Sequence, residues 1–232
     1  MIIEEKMSYE PTKSARARKV RILIVDDHPL VREGLIGLIG SQSDFEVCGE
    51  AAGMDDARRL VESARPDVAI IDLTLSDGSG IELIKELKER RADLKLLVLS
   101  MHEESLFAER ALRAGAVGYV HKHEASRTIV QAVRTVLEGR LYLSQRLTQR
   151  MLERAVRPGG DTGASPIERL TDREMEVFEL LGEGLTSRQI ATRLQLSPKT
   201  VETHREHIKD KLDLKNGTEL TKHALQWVLE RH

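Results

Sequence analysis

Short aliphatic runs alternate with helical periodicity from Lys19 to Glu138. Residues 20–25, 45–49, 68–71, 94–99 and 117–120 predict strands, three of them (RILIV, VAII and KLLVL) nearly continuous aliphatics. Continuous runs of that kind suit strands buried on both faces of a parallel sheet. Between them, residues 30–39, 55–64, 81–90, 104–114 and 126–137 repeat apolar positions at three- and four-residue spacing, which predicts helices. Gly40, Gly115 and Gly139 stand where those helices should stop. Strands alternating with helices in this way predict one α/β domain over residues 19–139, a flavodoxin-like five-stranded parallel sheet of order 2-1-3-4-5.

The rhythm breaks after Gly139. Residues 144–156 predict a short helix with Leu147, Met151 and Leu152 on its apolar side. Arg157-Pro-Gly-Gly-Asp-Thr-Gly-Ala-Ser-Pro166 is dense in turn formers, so residues 140–166 are expected to link two domains, partly as helix. From residue 167 to 232 the pattern is helical throughout. Thr171 with Glu174 three residues later forms a capping-box signature for a helix to about Leu181. A short helix over 186–194, a tight turn at 195–197, a longer helix over 198–212 and a last one over 217–229 follow. Residues 1–18 are expected to be a polar tail.

Charge and composition then narrow the function. Residues 1–139 carry 20 Lys/Arg against 24 Asp/Glu, and residues 167–232 carry 11 against 12. Neither part is a basic body, so any nucleic-acid recognition must rest on local arrangement rather than bulk charge. Aromatics are 3% of the chain, too few for a base-stacking platform. Cys48 is the single cysteine, which excludes a disulfide framework and a cysteine metal site. No run reaches the roughly 18 apolar residues of a membrane span, and a cytoplasmic protein is expected.

In an open parallel sheet, ligands bind beyond the carboxyl ends of the strands. The first predicted strand ends in Asp26 and Asp27, the third in Asp72, the fourth in Ser100, and the fifth runs into Lys122. Three carboxylates on one edge repel unless a cation joins them, and hard oxygen ligands suit Mg2+. Such an edge could present a phosphoryl group to a carboxylate nucleophile, with Lys122 and Ser100 as partners for its oxygens.

The segments Val25-Asp-Asp-His-Pro29, Ile71-Asp-Leu73, Val98-Leu-Ser100 and Gly115-Ala-Val-Gly-Tyr-Val-His-Lys122 resemble the receiver domain of two-component response regulators. The resemblance implies that Asp72 accepts a phosphoryl group from a sensor histidine kinase. It implies Mg2+ held by Asp27, Asp72 and the Thr74 carbonyl, with Asp26 acting through a water. Ser100 and Tyr119 would be the switch residues. Where the family often has proline four residues after the acceptor, this chain has Ser76, which is expected to loosen that loop and affects how long the phosphoryl group stays.

The C-terminal segments Leu170-Thr-Asp-Arg-Glu-Met-Glu-Val177, Gly184-Leu-Thr-Ser-Arg-Gln-Ile-Ala191, Leu196-Ser-Pro-Lys-Thr-Val-Glu-Thr-His204 and Ile208-Lys-Asp-Lys-Leu212 resemble the LuxR-type helix-turn-helix. Together the two halves are similar to the NarL/FixJ family, which implies double-stranded DNA as a partner and a homodimer when phosphorylated. In the longer helix, Val201, Ile208 and Leu212 form the buried stripe, which turns Glu202, Thr203 and Glu206 toward base edges. Lys199, Arg205 and Lys209 flank that face as phosphate contacts, and Thr200 belongs to the same DNA-binding set. Glu202–Arg205 and Glu206–Lys209 are also spaced for pairing with each other. The rival readings are an aspartyl-phosphate phosphatase or transferase, a phosphorylation-independent regulator and a protein-interaction adaptor. The phosphatase or transferase reading lacks the acid such enzymes commonly carry two residues after the nucleophile, where Thr74 stands.

Overall fold

The computed structural model describes residues 18–101, 104–156 and 166–229. Residues 1–17 of the polar tail and the breaker-rich part of the linker, residues 157–165, lie outside the described residues. Strands β1 (Val20–Val25), β2 (Phe45–Ala51), β3 (Val68–Asp72), β6 (Lys95–Ser100) and β7 (Gly118–His121) form one parallel sheet in the order β2-β1-β3-β6-β7. Counted along the sheet alone, that is the expected 2-1-3-4-5. Between β3 and β6 lies a two-stranded hairpin, β4 (Thr74–Leu75) with β5 (Gly78–Ser79), that the hydrophobic pattern was too short to indicate.

Alternate residues of each strand face opposite sides, and both sides are covered. Helices α1 (Pro29–Gly40) and α5 (Ala125–Leu137) pack Leu35, Ile39, Ile129 and Val133 onto Ile22, Ile24, Ile70 and Leu97. Helices α2 (Met54–Ala64), α3 (Gly80–Arg90) and α4 (Glu104–Ala114) bring Val61, Ile84, Leu87 and Phe107 to Leu23, Val25, Ile71 and Val98. A bulge between Ile22 and Leu23 in the β1–β2 register leaves Cys48 opposite no residue. Cys48 is half-buried, like Val47 and Gly49 beside it, and burial raises its thiol pKa.

The expected stops hold at Gly115 and Gly139, which take left-handed φ of 112° and 78°. Gly40 instead closes α1 from inside its last turn. Residue Tyr142 adds to the sheet edge: its N–H donates to the Val117 carbonyl and its carbonyl accepts from Tyr119 N–H, so regular pairing runs past Gly139. Helix α6 (Gln145–Val156) buries Leu147 and half-buries Met151, but leaves Leu152 61% exposed, contrary to the expected apolar stripe.

The C-terminal domain has α7 (Asp172–Gly182), α8 (Ser187–Arg193), α9 (Pro198–Leu212) and α10 (Gly217–Leu229). Capping boxes open α7 (Thr171 with Glu174) and α8 (Thr186 with Gln189). Met175, Phe178, Ile190, Val201, Ile208 and Leu220 are fully buried between the four helices. Trp227 meets Phe178 edge-on at 5.6 Å. At Gly182, α7 crosses α10 so closely that a Cβ would lie 2.5 Å from the Ala224 carbonyl oxygen.

The two domains touch. Arg110 of α4, only 15% exposed, donates to the Leu170 and Ile167 carbonyls at 2.9 and 3.3 Å and pairs with Asp172 at 3.0 Å.

Candidate functional site

Four strand ends converge. Asp26 directly follows β1 and is buried, and its Oδ1 accepts from His28 N–H at 2.9 Å. That short turn launches α1, with Pro29 in its first turn. Asp72 is the last residue of β3 and 2% exposed. Ser100 ends β6 and is fully buried, and Tyr119, in β7 opposite Val98, is 2% exposed. Tyr119 therefore already lies inward. Thr74, at the start of β4, donates its N–H to Asp72 Oδ1 at 3.3 Å.

Lys122 opens a 3-10 turn just beyond β7, and its ammonium bridges two carboxylates: 2.6 Å to Asp72 Oδ2 and 2.7 Å to Asp26 Oδ2. Burial pushes the Asp72 carboxyl up to about 6; the Lys122 charge opposes this and the Asp26 charge adds to it. Burial alone would lower the Lys122 pKa, but Asp72 and Asp26 together raise it. The two directions are compatible because one ammonium serves two carboxylates, so each acid receives only part of its charge.

The acceptor loop is tightly built. Gly80 N–H donates to the Leu73 carbonyl at 2.8 Å, and a Cβ at Gly80 would lie 2.1 Å from the Asp72 carbonyl oxygen. Asp77 in the hairpin turn accepts from Met54 N–H at 2.7 Å, capping α2 where Gly53 has no side chain to do so. Around Ser76 the loop is held on either side by the hairpin pairing and by the Asp77 cap.

One ligand atom each of Asp26, Asp27, His28 and Asp72 lies within 4.8 Å of the others. Asp26 Oδ2 and Asp27 Oδ1 are buried without a directed hydrogen bond, although Lys122 and His28 approach them at 2.7 Å. Buried carboxylate oxygens with spare lone pairs fit a hard divalent cation. His28 was not legible as a neighbour of this cluster, because histidine after an acidic pair carries no spacing signal of its own.

On the C-terminal domain, Lys199, Glu202, Thr203 and Glu206 are exposed along α9, while Thr200 is half-buried beside the Ser197 cap. Thr203 Oγ1 donates to the Lys199 carbonyl. Two of the expected cationic contacts also serve the domain itself. Arg205 donates to Ser187 Oγ at 2.6 Å and to Glu202 at 3.3 Å, and Lys209 pairs with Glu206 at 2.7 Å. His204 is half-buried, and burial lowers its pKa.

The chain matches the response regulator receiver domain over residues 22–134 and the luxR family of bacterial regulatory proteins over residues 168–224. It is 38% identical over 200 residues to the DNA-binding transcriptional activator DevR/DosR of Mycobacterium tuberculosis, covering 86% of this chain and 91% of that one. It is 35% identical over 212 residues to the oxygen regulatory protein NreC of Staphylococcus epidermidis, covering 89% and 97%. Among solved structures, RcsB from Salmonella enterica serovar Typhimurium, bound to promoter rprA with the phosphomimetic BeF3-, aligns at TM-score 0.57 and 25% identity over 88% of this chain and 98% of that one.

Proposed function

Because the chain belongs to the NarL/FixJ family of two-component response regulators, we propose that it accepts a phosphoryl group on Asp72 from a sensor histidine kinase and thereby controls its binding to double-stranded DNA. It is a transcription regulator with a receiver and a LuxR-type DNA-binding domain, not an enzyme acting on a separate substrate. The observation that carries the Asp72 assignment is the Lys122 ammonium bridging Asp72 and Asp26 at the strand ends.

An Asp72 oxygen attacks phosphorus, the bond from phosphorus to the donor histidine nitrogen breaks, and the electron pair leaves with the imidazole. Asp26, Asp27, Asp72 and the Thr74 carbonyl would hold Mg2+, which when bound neutralises charge on the phosphoryl oxygens. Lys122 exchanges a carboxylate oxygen for a phosphoryl oxygen, and the Ser100 hydroxyl donates to another. Movement of Ser100 with Tyr119 biases the β6–α4–β7 region between two arrangements.

On DNA, α9 enters the major groove with Thr203, Glu202 and Glu206 at base edges. Lys199, Thr200, Arg205 and Lys209 contact the backbone. A homodimer of the phosphorylated form would place two such helices on neighbouring half-sites. Leu225 and Leu229, 46% and 66% exposed on α10, offer apolar surface for it. A cytoplasmic location accords with this function, and among the described residues no helix is long and apolar enough to cross a membrane.

Incubation with phosphoramidate and Mg2+ should label the wild type and leave Asp72→Asn unlabelled, and footprinting should show tighter DNA protection by the labelled form. Persistent labelling of Asp72→Asn would move the acceptor elsewhere.

A further inference from the structure

His28 brings a nitrogen to the three carboxylates of the strand ends, and the local backbone aims it there. Proline confines the residue before it to extended backbone, and His28, before Pro29, holds φ −87° and ψ 111°. Its N–H donates to Asp26 Oδ1 at 2.9 Å, which fixes the turn between β1 and α1. Although His28 is the residue that opens α1, its ring makes no capping bond to the helix. Nδ1 stands instead 2.7 Å from Asp27 Oδ1 and 3.3 Å from Asp26 Oδ1.

These contacts have the spacing of ligands rather than the alignment of a hydrogen bond. Asp27 Oδ1, the oxygen nearest the ring, is buried with no directed hydrogen bond, so its lone pairs are open to an ion. Neighbouring ligands of an octahedral ion at about 2.1 Å stand about 3.0 Å apart, and opposite ones about 4.2 Å. The two Nδ1–carboxylate distances bracket the first value, and one ligand atom each of Asp26, Asp27, His28 and Asp72 lies within 4.8 Å of the others. A slight contraction closes such a set on one ion. Lys122 cannot join it, because an ammonium has no lone pair, and it approaches different oxygens, Asp26 Oδ2 and Asp72 Oδ2. The His28 side chain is 64% exposed and lines the cleft over Asp72 with Thr74, Met101 and Lys122, so an ion can reach it from solvent.

We propose that His28 Nδ1 is a direct ligand of the cation at the strand ends, which gives this site a preference for divalent transition ions over Mg2+. The inference rests on the reading that Asp26, Asp27 and Asp72 hold a cation. Mg2+ takes oxygen ligands and keeps several waters, whereas imidazole suits transition ions. The neutral ring with its proton on Nε2 offers Nδ1 to the ion. One nitrogen among carboxylate oxygens leaves an ion able to neutralise phosphoryl oxygens, so His28 changes which ion serves Asp72 and not the chemistry at Asp72.

The test uses the full chain with Co2+ as the probe ion. Calorimetry gives its affinity, competition against it gives that of Mg2+, and proton spectra report hyperfine-shifted imidazole N–H signals. The wild type should bind Co2+ more tightly than Mg2+ and show one shifted N–H that exchanges with solvent. His28→Ala, with unchanged circular dichroism, should lose that signal. It should weaken Co2+ by about tenfold or more, since loss of even an outer-shell partner costs about 10–100-fold. Its Mg2+ affinity should be nearly unchanged, because Mg2+ keeps a water where the ring would bind. A parallel loss of both ions in His28→Ala would overturn the proposal, assigning His28 to orienting Asp27. A wild-type shifted N–H that survives in His28→Ala would overturn it as well. Asp27→Asn separates the two readings: if it binds Co2+ as tightly as wild type, the strand-end acids are not the cation site at all.

Discussion

Asp72 should be a source of instability in the resting protein. Its carboxyl ordinarily loses a proton near 3.8, and burial holds it at about 6. Each tenfold change in proton affinity corresponds to about 1.36 kcal/mol, so at neutral pH the ionised carboxylate costs about 3 kcal/mol relative to the unfolded chain. A group whose folded pKa is raised in this way stabilises the fold where it is protonated. That contribution is lost as pH rises from about 4 through about 6. Asp72→Asn removes the charge, keeps the shape and leaves an amide oxygen for the Lys122 ammonium, while Asp26 still neutralises Lys122 at 2.7 Å. The variant should therefore be more stable than wild type by about 1–3 kcal/mol at pH 7 in chelator, after allowing for the buried amide. Urea denaturation of both proteins between pH 4.5 and 7.5 measures this directly. The stability gap should open with rising pH and narrow in millimolar Mg2+, which binds only the folded wild-type cluster well. A gap that is flat with pH, or an Asp72→Asn protein no more stable than wild type at pH 7, would refute the claim that burial dominates this carboxyl.

Gly80→Ala should destabilise by about 1–3 kcal/mol and slow phosphorylation, because the new methyl meets the Asp72 carbonyl at 2.1 Å; thermal melting with phosphoramidate labelling checks both. Thr186→Ala removes the side-chain cap of α8 and should cost about 1 kcal/mol in urea denaturation. Burial would raise the Glu174 pKa, but bonds from Lys211 and Thr171 outweigh it and lower it below 4.5. Its stabilisation is thus present above 4.5 and lost as pH falls through the folded value. Glu174→Gln should flatten the acid limb of the stability profile and weaken the fold at pH 7 by about 1–3 kcal/mol. Lys199→Ala should weaken DNA binding about equally for all sequences and reduce the salt slope by about 1, as titrations at several salt concentrations would show.

Much of this was legible along the chain because its signals are local. Continuous aliphatic runs mark strands covered on both faces, capping residues mark helix starts, and acids directly after such runs lie on one sheet edge by topology alone. Asp26, Asp27, Asp72, Ser100 and Lys122 could be assembled on that reasoning. The outward face of α9 followed from its buried stripe of Val201, Ile208 and Leu212.

What required the tertiary structure depends on which groups meet across distance. Lys122 is half-way between two carboxylates rather than waiting beside one, and burial outweighs the Lys122 charge in raising the Asp72 proton affinity. Ser76 stands in a hairpin of two-residue strands beside an aspartate that caps a different helix, contacts its sequence position does not report. Arg205 pairs with Glu202 and Lys209 with Glu206 as their spacing allows, but the Arg205 bond to Ser187 of a different helix has no sequence signal. Contacts between domains are the least legible of all. Arg110 meets Asp172 across 62 positions and Gln195 meets Asp27 across 168, and no periodicity reports such a pairing. Sequence determined which groups this protein has for phosphoryl chemistry and DNA, because local patterning and fold topology carry them to the sheet edge and helix face. Tertiary packing decided which of those groups are buried, shared or covered, because desolvation and charge pairing depend on neighbours the chain brings in from far away.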